Sequence, residues 1–380
     1  MTGGRKVRVA VDATPLLGRP TGVGAFCAGA LGGLAGRPGV AAAAFAVSWR
    51  RRRGIAGRVP AGVTVVDRPM PARPLHWAWG RSELPPLEWL VGPVDVVHGT
   101  NFVVPPTRRA ARVVTVHDLT TVRFPELCDA PTLAFPALIR RALARGAWVH
   151  TPSAHVAAEV VDAFGAAPER VRAVHSGVPP LPAPDPRIVG RVLPAGTARF
   201  VLAVGTAEPR KDLPGLVRAF DQVAADRPDL ALVLAGPEGW GSGDLARAIG
   251  GAAARDRVVT TGWVDGAGLA GLLVGAAVLA YPSRYEGFGF PPLQAMAAGT
   301  PVVATRAGAL PEVLGDAALL VAVGDVGALA GALATVLDDA WTEAGLAERG
   351  AARAAAYSWD RCAEGLERCY RDALAERGSR

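Results

Sequence analysis

The sequence predicts an α/β protein built from two parallel, doubly wound sheets in tandem. Three observations predict it. Short apolar segments alternate with helical stretches along the whole chain. Most of these segments are apolar without an in-out alternation, as strands covered on both faces must be. A proline-rich break then divides the series into two runs. A length of 380 residues suits two domains better than one.

The first run places strands at 7–12, 42–48, 63–67, 94–98, 111–117, 148–152 and 171–174, with helical stretches such as 24–34 and 131–144 between them. Five prolines between 179 and 186 stop the pattern, so residues 179–198 read as a linker. The second run places strands at 200–204, 231–235, 258–261, 278–281, 301–304 and 318–321, with helices including 213–225 and 293–298. The expected domains are therefore 1–178 and 199–359. No fixed-period repeat relates the two. Ligands in such sheets bind beyond the carboxyl ends of the strands, and with two such domains the expected place is a central cleft that both face.

Composition narrows the classes. Half of the residues are hydrophobic and a fifth are charged, a globular balance. The four cysteines are scattered and form no CxxC pair, so neither a zinc ribbon nor a redox motif is supported. Free thiols in a reducing cytosol are expected, which makes the expected location cytoplasmic. The N-terminus shows no secretory leader. The uncharged run 266–283 contains four glycines and a proline, and reads as a helix at 269–277 and a buried strand rather than a membrane span. Residues 1–190 hold 23 Lys and Arg against 12 Asp and Glu. That excess suits a polyanion, an anionic membrane face or simply an arginine-rich surface. No aromatic-interleaved or helix-turn-helix pattern accompanies it, so no nucleic-acid partner is expected.

The chemistry-bearing segments lie where strands end. "SRYEGFGFPPLQAMAAGTPVV", residues 283–303, sets Glu286 before Gly287-Phe288-Gly289-Phe290, and then two prolines that suit a first helical turn. Bare amides and a helix N-terminus attract phosphate, whereas Glu286 would repel it and suits hydroxyls. A ligand with both is a nucleotide sugar; a Gly-Pro structural turn answers to the same pattern. "VGTAEPRKDL", residues 204–213, follows the first strand of the second run. Arg210 and Lys211 there can neutralise a diphosphate, although exposed charges at a helix start would look alike. "GRPTGVGAF", residues 18–26, offers Gly22 and Gly24 to a phosphate but is not a full GxGxxG fingerprint. His117 and His98 each close a strand; such a histidine handles a proton or contacts a sugar, or is a bonded loop residue. No metal site fits the spacings.

Taken together, "VGTAEPRKDLPGLVRAF" and "YPSRYEGFGFPPLQAMAAGTPVVATRAGALPEV" resemble the retaining, nucleotide-sugar-dependent glycosyltransferases of family 4. "VAVDATPLLGRPTGVG", "VVTVHDLTTVRFPE" and "TPSAHVAAEVVDAFG" are similar to the same family's N-terminal domain, so the likeness covers nearly the whole chain. It implies the GT-B fold, two Rossmann-like domains, and a last helix at 360–378 that crosses back onto the first. It implies that Arg210 and Lys211 bind the donor diphosphate, that Glu286 meets the donor sugar, and that amides of Gly287, Phe288, Gly289 and Phe290 meet phosphate or sugar. Gly24 would meet phosphate, His117 would lie by the reaction centre, and backbone at Gly262 and Val264 would face the base. Gln294 stands where the family carries a second glutamate, and Asp212 where asparagine is common. A glutamine carbonyl still accepts from ribose hydroxyls but lacks the charge.

The implied reaction moves a hexose, with mannose a guess, to a hydroxyl of a glycan or lipid-linked glycan with retention. No metal and no separate cofactor is expected, since the nucleotide sugar is itself a substrate. The alternative is a nucleotide-sugar epimerase or another non-transferase on the same fold. Residues 74–92 carry three tryptophans. Packing is the plainer reading of these, and a peripheral contact with the inner membrane face is the other.

Overall fold

The computed structural model describes residues 5–18, 21–130 and 132–378. Arg19 and Pro20 of the glycine-rich segment, and Pro131 at the head of the 131–144 stretch, lie outside the described residues. The chain divides into two compact units. One holds residues 1–125, 130–177 and 357–380, and the other residues 126–129 and 178–356.

In the first unit seven strands form one parallel sheet in the order β3-β2-β1-β4-β5-β6-β7. They are β1 (Val7–Asp12), β2 (Val40–Phe45), β3 (Thr64–Val65), β4 (Val96–Gly99), β5 (Ala111–Thr115), β6 (Trp148–Thr151) and β7 (Val171–Ala173). Strands β4 and β6 are buried along their whole length, which accounts for their mostly apolar residues. Helix Gly22–Ala35 covers one face, and helix Trp359–Gly378 packs against it. That packing requires glycine. A Cβ on Gly29 or Gly177 would overlap the Trp359 ring, and one on Gly33 would overlap its backbone. Polar pairs then fix the last helix along its length: Glu367 with Arg37, Asp372 with Arg172, and Glu376 with Arg170 and the Trp148 indole.

The second unit carries a six-stranded parallel sheet in the order β10-β9-β8-β11-β12-β13. Its strands are β8 (Arg199–Val204), β9 (Leu230–Ala235), β10 (Val258–Gly262), β11 (Val278–Tyr281), β12 (Val302–Thr305) and β13 (Leu319–Val321). The core joins β8, β9 and β11 to helices Leu213–Ala224 and Val326–Asp338 through Val201, Phe220, Leu232, Val278 and Leu333. The uncharged run at 266–283 is helix Gly266–Gly275 followed by β11. Among the described residues no helix is long and apolar enough to cross a membrane.

The proline-rich stretch is not bare linker. It holds helix Arg187–Val192, and the Asp185 amide donates to Ala267 O at 3.0 Å. Ile188 lies so close to Gly271 that a Cβ there would sit 2.7 Å from it. The apolar pair Ile188 and Val189 behind the prolines packs on helix Gly266–Gly275.

Candidate active site

Both sheets reverse direction beside their first strand, between β1 and β4 in one unit and between β8 and β11 in the other. At such a switch point the loops leaving two adjacent strands splay apart and leave a crevice.

In the second unit those loops carry the predicted charges. After β8 the chain enters a single turn, Pro209–Lys211, and Asp212 then takes φ 46° before helix Leu213–Ala224. Asn and Asp are the side chains that best tolerate this left-handed conformation, so aspartate replaces asparagine here without a conformational penalty. After β11 the chain delivers Glu286, and Gly289 at φ 105° turns it into helix Phe290–Ala297, with Pro291 and Pro292 in its first turn. The Arg284 amide donates to Arg210 O at 2.8 Å and ties the two loops together.

Glu286 is 7 % exposed. Its Oε1 lies 2.6 Å from Lys211 Nζ and 2.8 Å from an Arg210 guanidinium nitrogen. Lys211 Nζ also donates to the Tyr281 hydroxyl at 2.6 Å, and Arg210 donates to Tyr285 O at 3.0 Å. Glu208 lies 3.4 Å from Arg210. Burial alone would raise the Glu286 carboxyl. The Arg210 and Lys211 charges, with the hydrogen bond from Lys211 and the nearby Ser283 hydroxyl, outweigh burial and hold it down at about 2. Lys211 is itself lowered by burial and by Arg210 despite Glu286, because two cations share one carboxylate. Burial raises Glu208. Glu286 is thus held charged at neutral pH, in a setting that strengthens electrostatics.

The other predicted residues of this unit lie along the same edge. Gly287, Phe288, Gly289 and Phe290 form the turn itself, with Phe288 and Phe290 edge to face at 5.4 Å. Gln294 is half-buried in the helix that follows. Gly262 ends β10 at φ 65° and accepts from the Gly236 amide, and Val264 follows it. Four residues escaped the sequence reading. Tyr281, Ser283 and Glu208 stand within five residues of Arg210 or Glu286, but no local pattern marks them as partners. Gly308 follows β12 at φ 54°, and a Cβ there would overlap the Glu286 carbonyl oxygen, which accepts from the Ala309 amide. Its signal was the glycine itself.

The first unit presents a different edge. Gly24 lies in the first turn of helix Gly22–Ala35, and its amide donates to the Thr21 hydroxyl at 3.2 Å. His117 follows β5, and its Nε2 is 2.7 Å from Thr100 O. A carbonyl only accepts, so Nε2 carries the proton and Nδ1 is the acceptor of this ring. Phe26 and Phe102 pack edge-on against it. Burial pushes His117 below its ordinary value, against the Thr100 carbonyl and Asp118. His98 is fully buried, away from the edge. It sits 2.7 Å from both the Tyr370 hydroxyl and Thr115 Oγ1; Thr115 is 2.9 Å from His150 Nδ1, and His150 Nε2 is 3.1 Å from Val174 O. That last carbonyl fixes the direction of the chain. His150 must donate to it, so Thr115 donates to His150, His98 donates to Thr115, and Tyr370 donates to His98.

Residues 22–180 match the family described as "Glycosyltransferase Family 4", and residues 198–339 the one described as "Glycosyl transferases group 1". The O-antigen chain mannosyltransferase B of Escherichia coli is 31% identical over 275 residues, 70% of this chain and 71% of that one. This chain belongs to the family 4 glycosyltransferases. Its fold is GT-B. Sucrose-phosphate synthase from Thermosynechococcus elongatus superimposes with a TM-score of 0.71 at 19% identity, over 98% of this chain and 100% of that chain. The HepE protein of Anabaena, solved with UDP and glucose, gives 0.69 at 18% identity over 95% and 98%. This family 4 member is therefore a hexosyltransferase that uses a nucleotide-sugar donor, and the epimerase alternative is not favoured. Among its described residues, no three His, Cys, Asp or Glu side chains group as metal ligands, and all four cysteines are free, three of them buried.

Proposed function

We propose that this glycosyltransferase moves a hexose, in the first instance mannose from GDP-mannose, to a hydroxyl of a glycan or lipid-linked glycan, with retention at the anomeric carbon. The observation that carries this is the convergence of Arg210, Lys211 and Glu286 at the β8/β11 switch point. The two cations hold the donor diphosphate, and Glu286 and the amides from Gly287 to Phe290 orient the hexose and phosphate. Gln294 accepts from the ribose, and the backbone at Gly262 and Val264 faces the base.

In the reaction the acceptor oxygen bonds to the anomeric carbon as its bond to the phosphate oxygen breaks. The departing phosphate oxygen takes the acceptor proton. Arg210 and Lys211 stabilise the charge that develops on that leaving group, which is the step's main electrostatic demand. This role calls for no metal and no separate cofactor. The mannose assignment leans on the named activity of the Escherichia coli relative.

Membrane contact is supported by the surface of the first unit. Trp79 is buried with its indole on Pro85 O, whereas Trp77 is 63% exposed, Leu84 58% and Trp89 60%. Arg81 lies over the Trp77 ring at 4.6 Å. Exposed tryptophans beside arginines suit an anionic headgroup layer, and we place the enzyme peripherally on the cytoplasmic face.

Thermal shifts against a panel of UDP- and GDP-sugars test the donor, and the one-bond C1–H1 coupling of the product tests retention. Stabilisation by GDP-mannose with an α-linked product is expected. No shift with any nucleotide sugar would remove the reading, and an inverted product would remove retention.

A further inference from the structure

Arg210 and Lys211 already share an internal anion. Glu286 occupies both cations through one oxygen, at 2.6 and 2.8 Å. It therefore stands on the two groups to which the proposed reading assigns a diphosphate. Both cannot be served at once, because a carboxylate and a pyrophosphate in one buried place repel each other. A second feature points to where the carboxylate goes. The Ser283 hydroxyl is fully buried beside Glu286 and Tyr281, close enough to favour the charged form of each, yet it makes no aligned hydrogen bond in the described structure. A buried hydroxyl in that condition costs free energy until a partner reaches it.

We propose that Glu286 is an internal stand-in for the donor diphosphate, exchanged on loading: the diphosphate takes Arg210 and Lys211, and the carboxylate turns onto the Ser283 hydroxyl, where it meets the sugar. The inference rests on the reading of Arg210 and Lys211 as diphosphate ligands. Tyr281 is a positioning residue in this scheme. Its hydroxyl accepts from Lys211 Nζ at 2.6 Å, and Nζ lies 4.6 Å from its ring centre, so the ammonium stays in place when its carboxylate leaves. The exchange keeps the site near neutrality when empty. It also makes binding selective, because a ligand must offer enough negative charge to evict Glu286 and hydroxyls to receive it.

Inorganic pyrophosphate, which has charge but no hydroxyls, isolates the exchange. Its affinity is to be measured by calorimetry on the wild-type chain and on Glu286→Gln and Ser283→Ala. Glu286→Gln removes the competing charge and should tighten pyrophosphate about tenfold, the low end for a close buried charge pair. Ser283→Ala should leave the melting temperature of the free protein unchanged, because the hydroxyl has no aligned bond to lose. It should weaken pyrophosphate several-fold, because the evicted carboxylate loses its landing place. Should Glu286→Gln fail to fold, Ser283→Ala alone decides. Pyrophosphate bound no tighter by Glu286→Gln, or Ser283→Ala destabilising the free protein with pyrophosphate unaffected, overturns the exchange. A chain that shows the exchange with pyrophosphate yet binds no nucleotide sugar would instead count against the proposed function.

Discussion

The two switch points share a topology and differ in electrostatics. At the β8/β11 edge two cationic side chains crowd one Glu286 oxygen, and solvent is largely excluded. Behind the β1/β4 edge two histidines, two hydroxyls and the Val174 carbonyl are linked by a one-way chain of hydrogen bonds, and His117 separately bonds the Thr100 carbonyl. Burial and mutual proximity hold His98 well below its ordinary value, and burial takes His150 to about 3, so both are neutral. The contrast teaches that the fold supplies a crevice without dictating its charge. One edge sets two cations on a carboxylate. The other carries neutral rings. The net positive charge of the first unit lies on its surface, not in this network.

The largest break in that comparison comes from the charged edge. Arg210→Ala or Lys211→Ala should lower kcat by roughly 10²–10³-fold with the fold retained, the usual loss for a donor aimed at developing charge. Steady-state kinetics and circular dichroism check this. A smaller loss would show that the edge binds without stabilising the leaving group. Gly308→Val comes next. It forces a side chain onto a left-handed residue and into the Glu286 backbone, and should cost about 2–3 kcal/mol of stability together with activity. Chemical denaturation reads the first part.

Acid should separate the two units. The folded-state values of His98 and His150 lie below the unfolded value of 6.5, so the unfolded chain binds more protons below that pH. The stability that depends on these neutral rings is complete above pH 6.5 and is lost as pH falls towards about 3. Glu286 follows the same direction lower on the scale. Its contribution is complete above 4.5 and is lost towards 2. At pH 5 each buried histidine should thus cost the first unit about 2 kcal/mol while the charged edge loses almost nothing. Hydrogen exchange resolved by peptide is expected to show protection falling first in β4, β5 and β6. Equal loss in both units would contradict it. The smallest effect sharpens the same point: Tyr370→Phe leaves His98 Nδ1 without its donor and should cost about 1–2 kcal/mol, with pyrophosphate affinity unchanged by calorimetry.

Much of the site was legible because its signals are local. Arg210 and Lys211 stand next to each other, and Glu286 precedes a glycine turn and a proline-headed helix. The expected strands coincide with the observed ones to within a few residues, since a strand buried on both faces writes a continuous apolar run. The edges were less clear. The 42–48 segment begins two residues earlier and ends at Phe45, and 63–67 shrinks to Thr64–Val65 at the sheet margin. Partners that do not repeat with a period were invisible. Tyr281 reads as one more apolar strand residue, His98 as an edge histidine, and Tyr370 as a helix position.

By itself the sequence determined the two series of strands, the place where they part, the residue types at each strand's carboxyl end, and the family to which they belong. These follow from short-range periodicity, turn chemistry and motif order. Tertiary structure decided which strand ends are neighbours. Placing β11 beside β8 brings Glu286 to Lys211 across 75 positions, and returning the last helix to the first unit sets Tyr370 on His98 across 272. No local pattern encodes such pairings, because they arise from strand order and from glycines whose missing side chains let one element lie against another.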